Sequence, residues 1–232
     1  RIIRNTFVLS IYSLIARFPV PIILAICINV MQNKYFKKTT QMVIYMPHFI
    51  SVVVLVGMLN QFFNPYVGLY GNIYKILNGA NAPDIMTNPA SFLHMYVWSG
   101  VWQELGWGAI IYLAALSGVS SEMVEASLID GANRLQVIWY INIPTILPTI
   151  VIMLIMRCGS VLSVGFEKVY LMQNALNLDA SQIISTYVYE IGLQGGQFSY
   201  SAAIGLFNNV VNILILLLMN RICKSVSEIG IW

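Results

Sequence analysis

Apolar residues run along this chain in long blocks, separated by shorter polar or Gly- and Pro-marked segments. A helix needs roughly 20 mostly apolar residues to cross the hydrocarbon core of a bilayer. Five blocks reach that length, at approximately 6–31, 40–63, 91–117, 145–165 and 202–220. The segment from Gln32 to Thr39 carries Lys34, Lys37 and Lys38, and that from Asn64 to Pro89 is rich in Asn, Gly and Pro. Residues 118–144 carry Glu122, Glu125, Asp130 and Arg134, and residues 166–200 mix aromatic, Gly and Gln positions. No heptad run, repeat, low-complexity tract or soluble segment interrupts the pattern. It predicts an all-α polytopic membrane protein with five visible transmembrane helices, forming a single domain over 1–232.

Composition strengthens this reading. The chain is 58% hydrophobic and 9% charged, with a mean hydropathy of +0.75, whereas soluble domains carry about 25% charged residues. So few charges cannot cover a water-facing surface, so lipid must cover much of it. The net charge of +3 is small and the basic residues are scattered, which argues against nucleic acid as a partner. Cys27, Cys158 and Cys223 lie in or beside apolar runs without CxxC or His/Cys spacing. They read as buried small hydrophobes with no disulfide or metal role. Arg1-Ile2-Ile3-Arg4 precedes an apolar run too long for a signal peptide, and no small-residue cleavage site follows.

Basic residues collect on the cytoplasmic side of membrane proteins. The segments 32–39 and 118–144 and the tail after 220 hold Lys34, Lys37, Lys38, Arg134, Arg221 and Lys224, against Lys75 and Lys168 on the other side, where Arg1 and Arg4 also fall but are left out of the count. The first group is therefore expected in the cytoplasm and residues 166–200 outside. Arg1 then lies outside, and since the chain opens without Met, a further N-terminal crossing is expected, six in all.

The most informative stretch is Glu125-Ala126-Ser127-Leu128-Ile129-Asp130-Gly131-Ala132, followed at fixed distance by Ile141-Asn142-Ile143-Pro144. It reads as a short helix, a break, and a second helix entering the membrane. Ser120 or Ser121 can cap the first helix, and Glu122 and Glu125 are expected in its first turn, where the helix dipole favours them. Gly131 permits a sharp turn, and Pro144 suits the first turn of the next helix. Ala126, Ser127 and Ala132 are small enough for another protein surface to approach.

This stretch resembles the EAA loop of binding-protein-dependent ABC importer permeases, whose pattern is E-A-A, D-G-A and an I-x-L-P ending. Glu125, Ala126, Asp130, Gly131, Ala132, Ile141 and Pro144 match, while Ser127 and Ile143 depart mildly. The resemblance continues through Phe36-Lys37-Lys38, Tyr45 to Ser51, Gly106-Trp107-Gly108, Ile111-Tyr112-Leu113, Gly165-Phe166-Glu167, Thr186 to Tyr189, Gly192 to Ser199 and Gly230-Ile231-Trp232. These segments look like the oligosaccharide branch of the family. The resemblance implies a type I importer permease fold in a bacterial cell membrane. It makes Glu125, Ala126, Ser127, Asp130, Gly131 and Ala132 an element that docks on a partner ATPase. It also implies a second permease, an ATPase dimer binding ATP and Mg, and a lipid-anchored solute-binding protein, with an oligosaccharide carried by alternating access.

No GxxxxGK[ST] loop occurs, so ATP hydrolysis by that route belongs to a partner. No catalytic triad or metal cluster is evident, and this chain is expected to bind no cofactor itself. His48 and His94 stand apart and suit structural or interfacial roles. Aromatic residues crowd Tyr96, Trp98, Trp102 and Trp107, either as an interfacial belt or as a sugar path, for which Trp102 is the best candidate. Arg17, Glu104 and Arg157 fall near the middle of their spans, where a charge costs at least about 2.5–3.5 kcal/mol. They form an ion pair between helices, Glu104 with Arg157 in preference to Arg17, or they line a substrate cavity. One acid against two bases leaves a positive charge suited to an acidic sugar. A permease for a peptide or phosphate, an ion-coupled secondary transporter and a non-transporting scaffold subunit are the other readings.

Overall fold

A computed structural model describes residues 1–231, so the motif residue Trp232 lies outside the described residues. Every regular element among them is helical. In chain order they are α1 (Ile2–Arg17), α2 (Pro19–Val30), α3 (Lys34–Tyr45), a 3-10 turn (Met46–Phe49), α4 (Val52–Phe62), α5 (Leu69–Asn78), α6 (Pro89–Leu116) and α7 (Ser121–Ile129). Then follow α8 (Arg134–Val137), a π-helical segment (Ile138–Asn142), α9 (Ile143–Gly159), α10 (Phe166–Met172), α11 (Leu178–Ser181), α12 (Ile184–Tyr189), a second π-helical segment (Glu190–Gln194) and α13 (Phe198–Ser227).

Three helical stretches are long and apolar enough to cross a membrane: Ile2–Val30, Arg134–Gly159 and Phe198–Ser227, rising to five if each bent pair counts as one span. The expected span 40–63 is one of the broken ones. Pro47 sits in the 3-10 turn, and Ser51 restarts the helix by accepting a hydrogen bond from Val54 N. The expected span 145–165 is displaced. Its helix starts at Arg134 and ends at Gly159, so Arg157 occupies the last turn instead of the middle. There the helix dipole favours a cation.

The chain divides into two compact units. The first comprises Arg1–Ser13, Phe49–Gly100 and Val161–Val211. Phe92, Tyr96 and Val97 of α6, Val169 and Met172 of α10, and Ile183 are buried in it. Residues 166–200 are therefore not a plain polar loop: α10 turns Val169 and Met172 inward, and Ser181 of α11 and Thr186 of α12 are buried beside Ile183. Asn177, fully buried, satisfies the turns among them. Its Nδ2 donates to the carbonyls of Met86 and Met172, and its Oδ1 accepts from Asn174 N and Ser181 Oγ. Asn5 of α1 donates to the carbonyls of Asp179 and Gln182, and Arg1 pairs with Asp179. Lys168, counted above as an outward loop charge, is buried, its ammonium donating to Tyr96 O at 3.1 Å and lying 5.1 Å from the Tyr96 ring centroid.

The second unit comprises Leu14–His48, Val101–Ser160 and the chain from Asn212. Ala25, Ala109, Tyr112, Leu116 and Ile146 form its core, with a smaller cluster at Val151, Ile155 and Cys223. Small residues set the helix spacing. A Cβ on Gly106 would lie 2.3 Å from the carbonyl oxygen of Ile44, so α3 and α6 touch backbone to backbone at this point. His48 stacks on Trp107 beside it, ring centroids 4.3 Å apart and 4° from parallel. Of the cysteines, Cys158 and Cys223 are buried as expected, but Cys27 is exposed on this chain.

Candidate functional site: a capped loop helix and a charged cleft

The segment singled out by its EAA-like pattern folds as a helix closed at both ends. α6 turns by 77° into α7. Ser120 is the N-cap, its hydroxyl accepting from Met123 N; Glu122 sits in the first turn, while Glu125, expected there too, falls beyond it because the helix starts at Ser121. At the other end Ala132 N donates to Ser127 O at 2.9 Å and Gly131 N to Leu128 O at 3.1 Å. This is a Schellman closure, which needs a left-handed residue after the cap. Gly131 supplies it with φ +83°. Glu125, Ala126, Asp130 and Gly131 are exposed, and Ser127 and Ala132 half-buried. Apolar side chains share this exposure: Met123, Leu128 and Leu135 are more than half exposed and Ile129 is 86% exposed.

The second helix starts earlier than Pro144 suggests. Asn133 and Gln136 form a reciprocal capping box, the Asn133 side chain accepting from Gln136 N and the Gln136 side chain from Asn133 N. The helix then runs unbroken to Gly159. Pro144 has no N–H for the carbonyl four residues back, and its ring would crowd that carbonyl in a regular α-helix. The turn just before widens to a π-helix, in which Ile143 N reaches Ile138 O.

The second candidate site lies where α1 ends. Arg17 closes α1, and Pro19 and Pro21 open α2 after the break at Phe18. Its Nη1 lies 3.7 Å from Glu104 Oε2, with the two side chains 23% and 45% exposed. The favoured pairing was therefore the wrong one: Glu104 faces Arg17 and forms no ion pair with Arg157. Arg157 instead joins them at the wall of a small cleft, whose apolar side is Pro21, Val101, Leu105 and Gly108. Arg157 is exposed on this chain, and the three charges sum to +1. Trp102 is 44% exposed but does not line the cleft. His94 accepts or donates at Nδ1 to the Tyr12 hydroxyl at 2.8 Å, and that hydroxyl accepts from Trp98 Nε1 at 3.0 Å. Among the described residues no group of three or more His, Cys, Asp or Glu is placed to hold a metal.

The profile of the family described as "Binding-protein-dependent transport system inner membrane component" matches residues 18–227. Protein LplB of Bacillus subtilis (strain 168) is 39% identical over 232 residues, covering 100% of this chain and 73% of that protein. The "Polygalacturonan/rhamnogalacturonan transport system permease protein YteP" of the same organism is 40% identical over 231 residues, covering 100% and 72%. Among solved structures, a chain of a bacterial alginate ABC transporter in complex with alginate pentasaccharide-bound periplasmic protein superposes with a TM-score of 0.94. It is 36% identical, and the match covers 99% of this chain and 80% of that one.

Proposed function

The chain belongs to the family of binding-protein-dependent transport system inner membrane components, and from that premise we propose that it lines the path of an ATP-driven importer for acidic oligosaccharides. It is a multi-pass membrane protein. In the proposed assembly it pairs with a second permease, and a solute-binding protein delivers the sugar. Partner ATPase subunits bind ATP and Mg, and this chain contributes no catalytic group of its own.

The observation that carries the coupling role is the closed α7. A nine-residue helix, capped at both ends and exposing Glu125, Leu128 and Ile129 together, keeps its shape when an ATPase surface presses on it. The small side chains of Ala126 and Ser127 allow that approach.

Two observations support an acidic substrate. One is the unbalanced positive charge of the cleft formed by Arg17, Glu104 and Arg157. The other is the similarity to a polygalacturonan/rhamnogalacturonan permease and to an alginate transporter, since galacturonate and alginate units both carry carboxylates. The decisive experiment reconstitutes the complete transporter with its binding protein in proteoliposomes. ATP-dependent uptake of tetragalacturonate, exceeding that of a neutral tetrasaccharide of equal length, is expected. Equal uptake of both, or uptake without ATP, would reject the proposal.

A further inference from the structure

The segment after α13 turns back on the helix it leaves. Glu228 N closes α13 on Lys224 O at 3.1 Å, and Glu228 itself takes φ +57°. It is the one non-Gly residue among the described residues in the left-handed region. An L side chain is disfavoured there and persists only where its surroundings fix it. The residues that follow do so. Ile229 packs against the cluster of Val151 and Ile155 of α9 with Cys223 of α13. Gly230 passes so close to α13 that a Cβ there would lie 3.1 Å from Asn220 Oδ1 and 3.5 Å from Lys224 Cβ. Ile231 N then donates to Asn220 Oδ1 at 2.8 Å, and Asn220 is buried.

The two helices joined in this way also touch further along. A Cβ on Gly159 would come within 3.0 Å of Leu216 Cβ. As the contacts descend α9 from Gly159 to Val151 they ascend α13 from Leu216 to Cys223, so the two helices run antiparallel. Gly159 sets their spacing at one end, and the returning segment closes the other. A segment that leaves a helix frays unless something ties it down. Here an apolar anchor, a steric fit and a hydrogen bond to a buried amide all act on residues 228–231.

We propose that residues 228–231 are a clasp that makes α9 and the Asn212–Ser227 part of α13 one rigid body, so that α13 follows whenever α9 moves. The helix that includes α9 starts at Arg134, just past the α7 loop, and carries Arg157 in its last turn. A push received at α7 would then displace two helices together instead of one. The inference rests on the ATP-driven import reading, because ATP turnover is what would move α9.

The test places spin labels at Leu147→Cys in α9 and Leu217→Cys in α13, both exposed on this chain. The complete transporter is used, with Cys27, Cys158 and Cys223 replaced. Electron–electron resonance measures the label separation at rest and after trapping with ATP and vanadate. The same narrow distribution is expected in both states. Gly230→Val drives a side chain against Asn220 and Lys224 without altering either helix, and Asn220→Leu removes the acceptor at similar volume. Each should lower the clasped population about fivefold, as for the loss of one neutral hydrogen bond. The resting distribution should then broaden and shift on trapping, and uptake per ATP hydrolysed should fall by more than half. If one variant fails to assemble, the other decides. A shift between the two states with the clasp intact, or wild-type behaviour of the variants in either measurement, overturns the proposal. A wild type that imports no sugar with ATP rejects the import reading instead, while the resting distributions of the variants still decide the clasp.

Discussion

The guanidinium of Arg17 and the carboxylate of Glu104 stand 3.7 Å apart, with Arg17 at the end of α1 and Glu104 midway along α6. The distance exceeds that of a tight hydrogen-bonded pair, and both side chains keep some exposure. Their coupling should therefore fall between about 1 kcal/mol, typical of exposed pairs, and about 3 kcal/mol, the low end of the cost of breaking buried ones. Glu104→Gln alone should lower folded yield more than Glu104→Gln with Arg17→Gln. A double-mutant cycle on unfolding in detergent measures this. The same cycle on Glu104 and Arg157, which share the cleft wall without an ion pair, should give the smaller coupling of the two. The reverse pattern would move the pair to Arg157.

Gly131 should be needed for coupling but not for insertion. A left-handed conformation costs an L-residue about 1–2 kcal/mol, so Gly131→Val should reduce the closed α7 conformation about tenfold. Nothing crowds a Cβ at this position, so the fold itself tolerates the change. Wild-type membrane levels with a loss of substrate-stimulated ATP hydrolysis are expected. Glu125→Lys should share that phenotype by reversing an exposed charge. Full stimulation in both variants would remove α7 from the coupling path.

Arg157 should discriminate by charge. An interaction between an ionised group and its partner contributes about 1.5–3 kcal/mol, so Arg157→Gln should raise the KM for tetragalacturonate roughly 10- to 100-fold. A neutral tetrasaccharide should be little affected, and Arg157→Lys should recover part of the loss. Equal effects on charged and neutral sugars would assign Arg157 a structural role in the last turn of α9.

Topology is open to direct labelling. In a variant with Cys27, Cys158 and Cys223 replaced, a single cysteine at Gln194 should react with an impermeant maleimide added to intact cells. A cysteine at Lys37 should react only after permeabilisation. The opposite result inverts the orientation derived from the basic residues.

Sequence reasoning reached most of the local chemistry. The Ser120 cap, the left-handed Gly131 and the helix break before Pro19 were all readable, because each depends on backbone preferences of one or two residues. The all-helical membrane class followed from hydropathy alone. Long-range geometry was not readable. Spacing along the chain places Arg17 and Arg157 equally well against Glu104, and only the packing of α1 on α6 decides between them. Pro144 drew attention away from the true helix start, although Asn133 and Gln136 already carried the capping-box pattern. The helices within 166–200 were hidden because each is too short to show clear periodicity, and tertiary burial, as at Lys168 and Asn177, holds them in place.

The unbroken helix from Arg134 to Gly159 has a mechanical consequence. At about 1.5 Å per residue, its 26 residues make a rod roughly 39 Å long. Its foot adjoins the closed end of α7, and Arg157 rides near its tip. A tilt of about 10° at the foot would sweep the tip through roughly 7 Å by the same rise per residue, more than the 3.7 Å that separates Arg17 from Glu104. A rocking of the rod by that angle would thus be enough to change which charge neighbours Arg157.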